Sequence, residues 1–332
     1  MDFRALLGVQ QGDRVLRQAF ALALALAAFG FTPASSAQGT LTMTVASSPG
    51  VGADILARAL SLHFSNEYGM SAVVENRPGA SGNIGADHVA RAKPDGHSLL
   101  VAATTFATNA AVDKKLPYDP IKSFEPVALL GTGTMVLVVN DEVPADSLKA
   151  FIALAKSKPG QINYASAGNG TPQHLAMELF KQEAGVDLFH VPFKSGGAAV
   201  NDLAGGHVSA MIAPIHTVMT LIKSGKLKPI AVMSGEREST VPEVPTFREQ
   251  GYPKVQVDVW YALMAPAGTP ADIIKDLNRK VNEALRTEAM LQSLAKQSIK
   301  AQGGTPERMA AVLENEVTRW PPVVRAAGIS AD

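Results

Sequence analysis

Leu41-Thr42-Met43-Thr44-Val45-Ala46 runs directly into Ser47-Ser48-Pro49-Gly50-Val51-Gly52 and then into Ala53-Asp54-Ile55-Leu56-Ala57-Arg58. A short apolar, β-branched run, a turn of serine, proline and glycine, and an apolar pattern at helical spacing make a strand, a loop and a helix. The unit then repeats. A strand over 72–75 precedes a helix over 84–92, and a strand over 98–103 follows. Further on, strands over 134–139, 162–165, 188–191, 208–212 and 229–233 alternate with helices that start at Leu148, Pro172 and Gly197 and one that ends at Ser224. The last 70 residues read as mainly helical. Such alternation predicts parallel βαβ units and an α/β fold.

Three helices are expected to begin at the same dipeptide: Thr171-Pro172, Thr269-Pro270 and Thr305-Pro306. Threonine can accept from the free first-turn amides, and proline fixes the first helical φ without wasting a donor. Residues 52–59 and 85–92 are also alike, both reading Gly-Ala-Asp and then Ala-Arg-Ala after two further residues. With no third copy this predicts two successive βα units and no solenoid. Each aspartate is expected in a first helical turn, where it complements the dipole.

Composition narrows the function. Over 332 residues, 30 Lys+Arg balance 30 Asp+Glu, which argues against a nucleic-acid binder or a polybasic membrane-surface protein. The chain has no Cys, so disulfides, thiolate nucleophiles and Cys-based zinc sites are excluded. The 46% hydrophobic content supplies a core, and the length suits about two domains. At the N-terminus, Arg4, Arg14 and Arg17 precede an uncharged run from Ala19 to Phe31, followed by Pro33-Ala34-Ser35-Ser36-Ala37. That is the pattern of a secretory signal peptide over 1–37, cleaved before Gln38, and the run is too short to span a bilayer. The expected product is an exported, soluble protein.

Two loops carry the chemistry. A glycine- and serine-rich turn from a strand into a helix N-terminus presents unsatisfied amides and the positive end of the dipole to an anion. The first is 47–52; the second is Ser166-Ala167-Gly168-Asn169-Gly170-Thr171. Enzyme patterns are weaker. The first loop lacks the three-glycine dinucleotide spacing, and neither a phosphate loop with Lys followed by Ser or Thr nor a Gly-x-Ser-x-Gly elbow is present. His174 lies close behind Ser166 and Thr171, which leaves a hydrolase or transferase reading open, without a carboxylate to orient the imidazole. His190, His207 and His216 have no metal-ligand spacing, and no metal or other cofactor is expected.

Several linked phrases point further: Asp54-Ile55-Leu56-Ala57-Arg58; Val74-Glu75-Asn76-Arg77-Pro78-Gly79-Ala80 with Gly82-Asn83-Ile84-Gly85; Pro94-Asp95-Gly96; Lys115-Leu116-Pro117-Tyr118-Asp119-Pro120; Gly168-Asn169-Gly170-Thr171 with Gln173-His174-Leu175-Ala176; and His190-Val191-Pro192-Phe193-Lys194. In order and spacing the chain resembles the Bug family, the periplasmic substrate-binding proteins of tripartite tricarboxylate transporters, over nearly all of 40–328. The resemblance implies a type II periplasmic binding protein fold. One lobe would comprise 40–138 plus 261–332 and the other 139–260, with a ligand cleft between them. It also implies that both loops bind the carboxylates of a small ligand, partly through water, which is then delivered to the transporter's membrane subunits. Carried over, the site is Ser48, Gly50, Gly52, Ala53 and Asp54 on one side and Ser166, Gly168, Asn169, Gly170, Thr171 and His174 on the other, with Thr104, Thr105 and Phe106 lining the same cleft. The expected state is a monomer in the periplasm, acting without catalysis; a ligand sensor for a signalling partner is the other binding role.

Two departures from the family's pattern concern specificity. The usual first loop is close to Pro-Phe-Pro-Pro-Gly-Gly, whereas Ser47 here replaces the aromatic and Val51 the second glycine. Where many members have Phe-Asp-Asn, this chain has Ile212-Ala213-Pro214. The expected ligand is therefore a di- or tricarboxylate or an aromatic acid without an amino group, in contact with Val51, Phe106, Ile212 and Ala213.

Overall fold

The computed structural model describes residues 39–50, 52–113 and 115–330. The signal-peptide segment 1–37 and Val51 lie outside the described residues. Thr40–Asp332 forms one compact unit, and among the described residues no helix is long and apolar enough to cross a membrane.

The first units fold as the alternation dictates. β1 (Leu41–Val45), α1 (Gly52–Tyr68), β2 (Ala72–Asn76), α2 (Asn83–Ala90), β3 (Ser98–Ala103) and α3 (Thr105–Val112) follow in order, and β1 pairs in parallel with both β2 and β3. Asp54 does sit in the first turn of α1, but Asp87 falls in the second turn of α2, because that helix starts four residues ahead of it.

The next strand departs from expectation. β4 (Phe124–Asn140) is 17 residues long, not the six over 134–139. Pro126, Gly131 and Gly133 interrupt its β-pattern in sequence, and its register shifts at Pro126/Ala128 and again at Leu129/Gly131, bulges that accommodate such residues. Beyond it come α4 (Leu148–Ser157), β5 (Asn163–Ser166), α5 (Pro172–Ala184), β6 (Phe189–Pro192), α6 (Gly196–Ala204), β7 (Ala210–Pro214), α7 (Ile215–Lys223) and β8 (Leu227–Val232). β5 is parallel to β6 and β7, so this half also contains the expected βαβ units.

β9 (Asp258–Pro266) was not anticipated and joins the sheet. It runs antiparallel to both β3 and β4. The sheet is therefore mixed, in the order β2-β1-β3-β9-β4-β7-β5-β6, with β8 also paired to β4. Along β4 the partner changes: Phe124–Thr134 pairs with β9, whereas Met135–Asn140 pairs with β7 and β8. The chain ends in α8 (Ala271–Ala284), α9 (Glu288–Ala295), β10 (Ile299–Ala301), which pairs with β4, and α10 (Pro306–Ala327).

Of the three Thr-Pro dipeptides, only Thr305 caps as expected, accepting from Arg308 N–H. Thr171 and Thr269 instead donate their hydroxyls to the carbonyls of Gly168 and Pro266. Pro270 is itself the residue before α8.

Packed side chains fill both faces of the sheet. Leu56, Leu60 and Phe64 of α1 meet Leu277 and Val281 of α8 on one face of the first half. Phe106, Tyr118 and Trp260 form the core on the other, with Met309 and Leu313 of α10. In the second half Phe151, Tyr164 and Phe180 form a core that also takes Trp320, Val323 and Val324 from the far end of α10. Each such side chain contributes roughly 1.5–3 kcal/mol by leaving water. α10 thus belongs to a core in each half of the sheet.

Candidate functional site

The first loop leaves the end of β1 and enters α1. Its Ser48 and Gly50 are exposed, while Gly52, Ala53 and Asp54 are buried. Gly52 is required by packing, since a Cβ there would collide with the Tyr261 hydroxyl. Asp54 is engaged from three directions: Oδ2 accepts from Gly50 N–H at 2.9 Å and Arg58 Nε at 3.0 Å, and Oδ1 accepts from Asn76 Nδ2 at 2.9 Å. Burial works to raise its pKa, but the bonds from Arg58, Gly50 and Asn76 outweigh that and hold the carboxyl below its ordinary value.

Beneath this loop is a cavity of about 30 Å³, lined by Ser47, Ala53, Thr105 and Phe106 together with Ser81, Gly82, Asn109 and Tyr118. That is room for about two waters or the head of one carboxylate. Ser47 Oγ is buried without a hydrogen-bond partner. Two polar side chains of the wall are tied down behind it: Asn109 Nδ2 and Tyr118 OH each donate to Asn83 Oδ1 at 2.8 Å, and Asn109 Nδ2 also reaches Ser81 O at 2.9 Å. Phe106 stacks on Tyr118 at 5.5 Å between centroids. Thr104 does not face the cavity; its Oγ1 accepts from Trp260 N–H at 2.8 Å.

The second loop joins β5 to α5 and is closed on itself. Gly168 N–H donates to Ser166 Oγ at 3.1 Å, Gly170 N–H to His174 Nδ1 at 3.1 Å, and Thr171 N–H to Gly168 O at 3.3 Å. Asn169 is exposed at the crown of the turn. Ser166 Oγ lies 2.7 Å from His190 Nε2, and the His190 ring stacks on His174 at 3.7 Å. Behind them Tyr164 OH donates to Glu178 Oε1 at 2.5 Å, and Lys181 Nζ donates to the same oxygen at 2.7 Å. Burial pushes His174 down to about 3, with His190 and Lys181 adding to it. Burial also pushes His190 down to about 4, with Glu178 opposing and Lys181 adding. Both imidazoles are neutral at pH 7.

The amides of Gly50, Gly168, Gly170 and Thr171, four of the donors expected at a ligand, thus already donate within the protein. Ile212 and Ala213 are fully buried on β7 and face opposite cores, so neither side chain presents surface to a cleft here. Most of the cavity wall, Ser81, Gly82, Asn109 and Tyr118 among it, and the His190 partner of Ser166 are outside the expected site. Among the described residues, no group of three or more His, Asp or Glu is placed to hold a metal ion.

A family model described as tripartite tricarboxylate transporter family receptor matches residues 56–329. Protein BugT of Bordetella pertussis is 37% identical over 290 residues, covering 87% of this chain and 89% of that protein. Among solved structures, R. palustris Rpa4515 with adipate is 32% identical at a TM-score of 0.78, over 88% of this chain and 98% of that one. MatC from Rhodopseudomonas palustris with bound malate is 33% identical at a TM-score of 0.74, over 86% and 98%.

Proposed function

The chain belongs to the tripartite tricarboxylate transporter receptor family, a family of periplasmic solute-binding proteins, and from that premise we propose that it captures a small organic carboxylate for such a transporter's membrane subunits. Capture takes place in the periplasm, after export directed by residues 1–37. The two lobes are 40–138 with 261–332 and 139–260, and they close on the ligand as a monomer. A ligand that bonds both lobes at once stabilises the closed arrangement by its differential affinity for it. The exchange of strand partners along β4 supports a flexing point between the halves.

The observation that carries this reading is the small cavity beneath the N-terminus of α1, lined by Ser47, whose Oγ is a buried hydroxyl without a partner. An unmade bond of this kind costs about 1–3 kcal/mol, and a carboxylate oxygen or its bridging water removes that cost. The dipole of α1 favours the same charge.

The ligand is a di- or tricarboxylate or an aromatic acid without an amino group. Adipate and malate, held by two relatives, fit that class. Position 213 is alanine in a packed core, so it offers no carboxylate for an ammonium. Hydrolysis is disfavoured because Ser166 is wholly buried and bonded to His190, while His174 Nδ1 already accepts from Gly170. Calorimetric titration tests the specificity. Adipate, malate or an aromatic acid should bind with at least tenfold preference over aspartate and glutamate, a margin of about 1.4 kcal/mol; tight amino-acid binding with no response to the plain acids sinks the assignment.

A further inference from the structure

We propose that Asp54 is the positioning residue of the first binding loop, acting with Asn76 to set ligand affinity without touching the ligand. This deepens the carboxylate-capture reading and rests on it.

The turn 47–50 is tied from behind at both ends. At one end Asp54 Oδ2 takes the Gly50 N–H; at the other Asn76 Nδ2 reaches Ser47 O at 3.2 Å. The two tethers are themselves joined, because Asn76 Nδ2 also donates to Asp54 Oδ1 and Arg58 Nη2 donates to Asn76 Oδ1 at 3.1 Å. Asn76 stands opposite Val45 in the β1–β2 register, so the edge strand delivers its side chain to the place where the turn begins. With the Ser47 carbonyl turned to Asn76, the Ser47 hydroxyl is left buried without a partner. With the Gly50 amide turned to Asp54, that donor is withdrawn from the ligand.

An ionised carboxylate beside an anion site ought to repel the ligand. Here Arg58 pairs with Asp54 at 3.0 Å, so the loop is held by a carboxylate whose charge is compensated. The related stretch on α2 supplies the contrast. Asp87 makes the same i,i+4 pair with Arg91, at 2.9 Å, on the surface and with no tie to a loop amide among the described residues.

The test compares Asp54→Asn with Asp87→Asn in the mature chain. Amide hydrogen exchange at Gly50 is read without ligand, and affinity is read by titration with adipate, malate, citrate and benzoate. In Asp54→Asn an amide NH2 confronts N–H donors. Gly50 exchange should rise and affinity for the acid that binds wild type should fall about 10- to 100-fold, by analogy with the hydrogen bonds that orient metal ligands. Exchange in the central strands should stay put, which a general loss of stability would not allow. Asp87→Asn should change neither reading. If Asp54→Asn does not fold, Asn76→Ala, which frees the Ser47 carbonyl and also removes the Asn76 bonds to Asp54 and Arg58, is held to the same affinity standard. Affinity within twofold of wild type in the folded variant overturns the proposal whatever Gly50 does. Silence of wild type toward all four acids overturns the capture reading and this proposal with it, and is recognised because no variant is involved.

Discussion

Ser166 Oγ is bonded to His190 Nε2 at 2.7 Å, and His174, whose sequence position suggests that partnership, instead receives the Gly170 amide. The pair holds a loop in shape. Two stacked neutral imidazoles behind a glycine turn make a rigid backing for that loop, and their cost is sensitivity to acid.

That sensitivity has a definite sign. His174 and His190 are depressed to about 3 and about 4, whereas unfolded histidine titrates near about 6.5. Below pH 6.5 the unfolded chain therefore takes up protons that the folded chain refuses, and stability falls. Asp258 opposes this: burial chiefly pushes it up to about 6, so the folded chain takes a proton there. With two protons on the unfolded side and one on the folded, these groups lose about 1.4 kcal/mol per pH unit between about 6 and 4. Urea midpoints at pH 7, 6, 5 and 4.5 should fall in step. His190→Gln should flatten the slope and Asp258→Asn steepen it, whereas a midpoint independent of pH contradicts the assignment.

Gly170 ties the second loop to α3. Its φ is +69°, and a Cβ would stand 2.9 Å from Val112 Cγ2. Gly170→Ala should cost about 1–3 kcal/mol, from left-handed strain and from overpacking. Val112→Ala should relieve the overpacking part only. A double-mutant cycle by urea unfolding checks this, and zero coupling would show that the contact is not made in solution.

Restoring an acidic residue at 213 should not create an amino-acid site. Ala213 is packed among Val136, Val138 and Ile215, and an uncompensated carboxylate there should cost at least about 3 kcal/mol. Ala213→Asp should melt well below wild type. A variant of wild-type stability that has gained aspartate binding would show that β7 presents this position to the cleft.

The two strand-turn-helix units were legible because glycine, serine and proline declare a turn locally. β9 is not legible although Val259, Trp260 and Tyr261 favour a strand, because its pairing with β3 and β4 joins segments about 124–164 residues apart, and the first part of β4 is disguised by Pro126 and Gly131. The cavity wall was not legible for a related reason. Asn83, Asn109 and Tyr118 meet only in three dimensions, and Ala80 and Ser81 take left-handed φ values of 47° and 54° that no local residue choice announces. Thr171 was expected to cap α5, but its hydroxyl found the nearer Gly168 carbonyl.

The central claim is capture of a carboxylate, and thermal denaturation of the mature chain with a panel of organic acids tests it most directly. A bound ligand at 100 times its Kd adds about 2.7 kcal/mol of stability. Saturable stabilisation by one or more acids without an amino group is the expected result, absent with matched amides of the same acids. A melting curve unmoved by every acid in the panel would contradict the account.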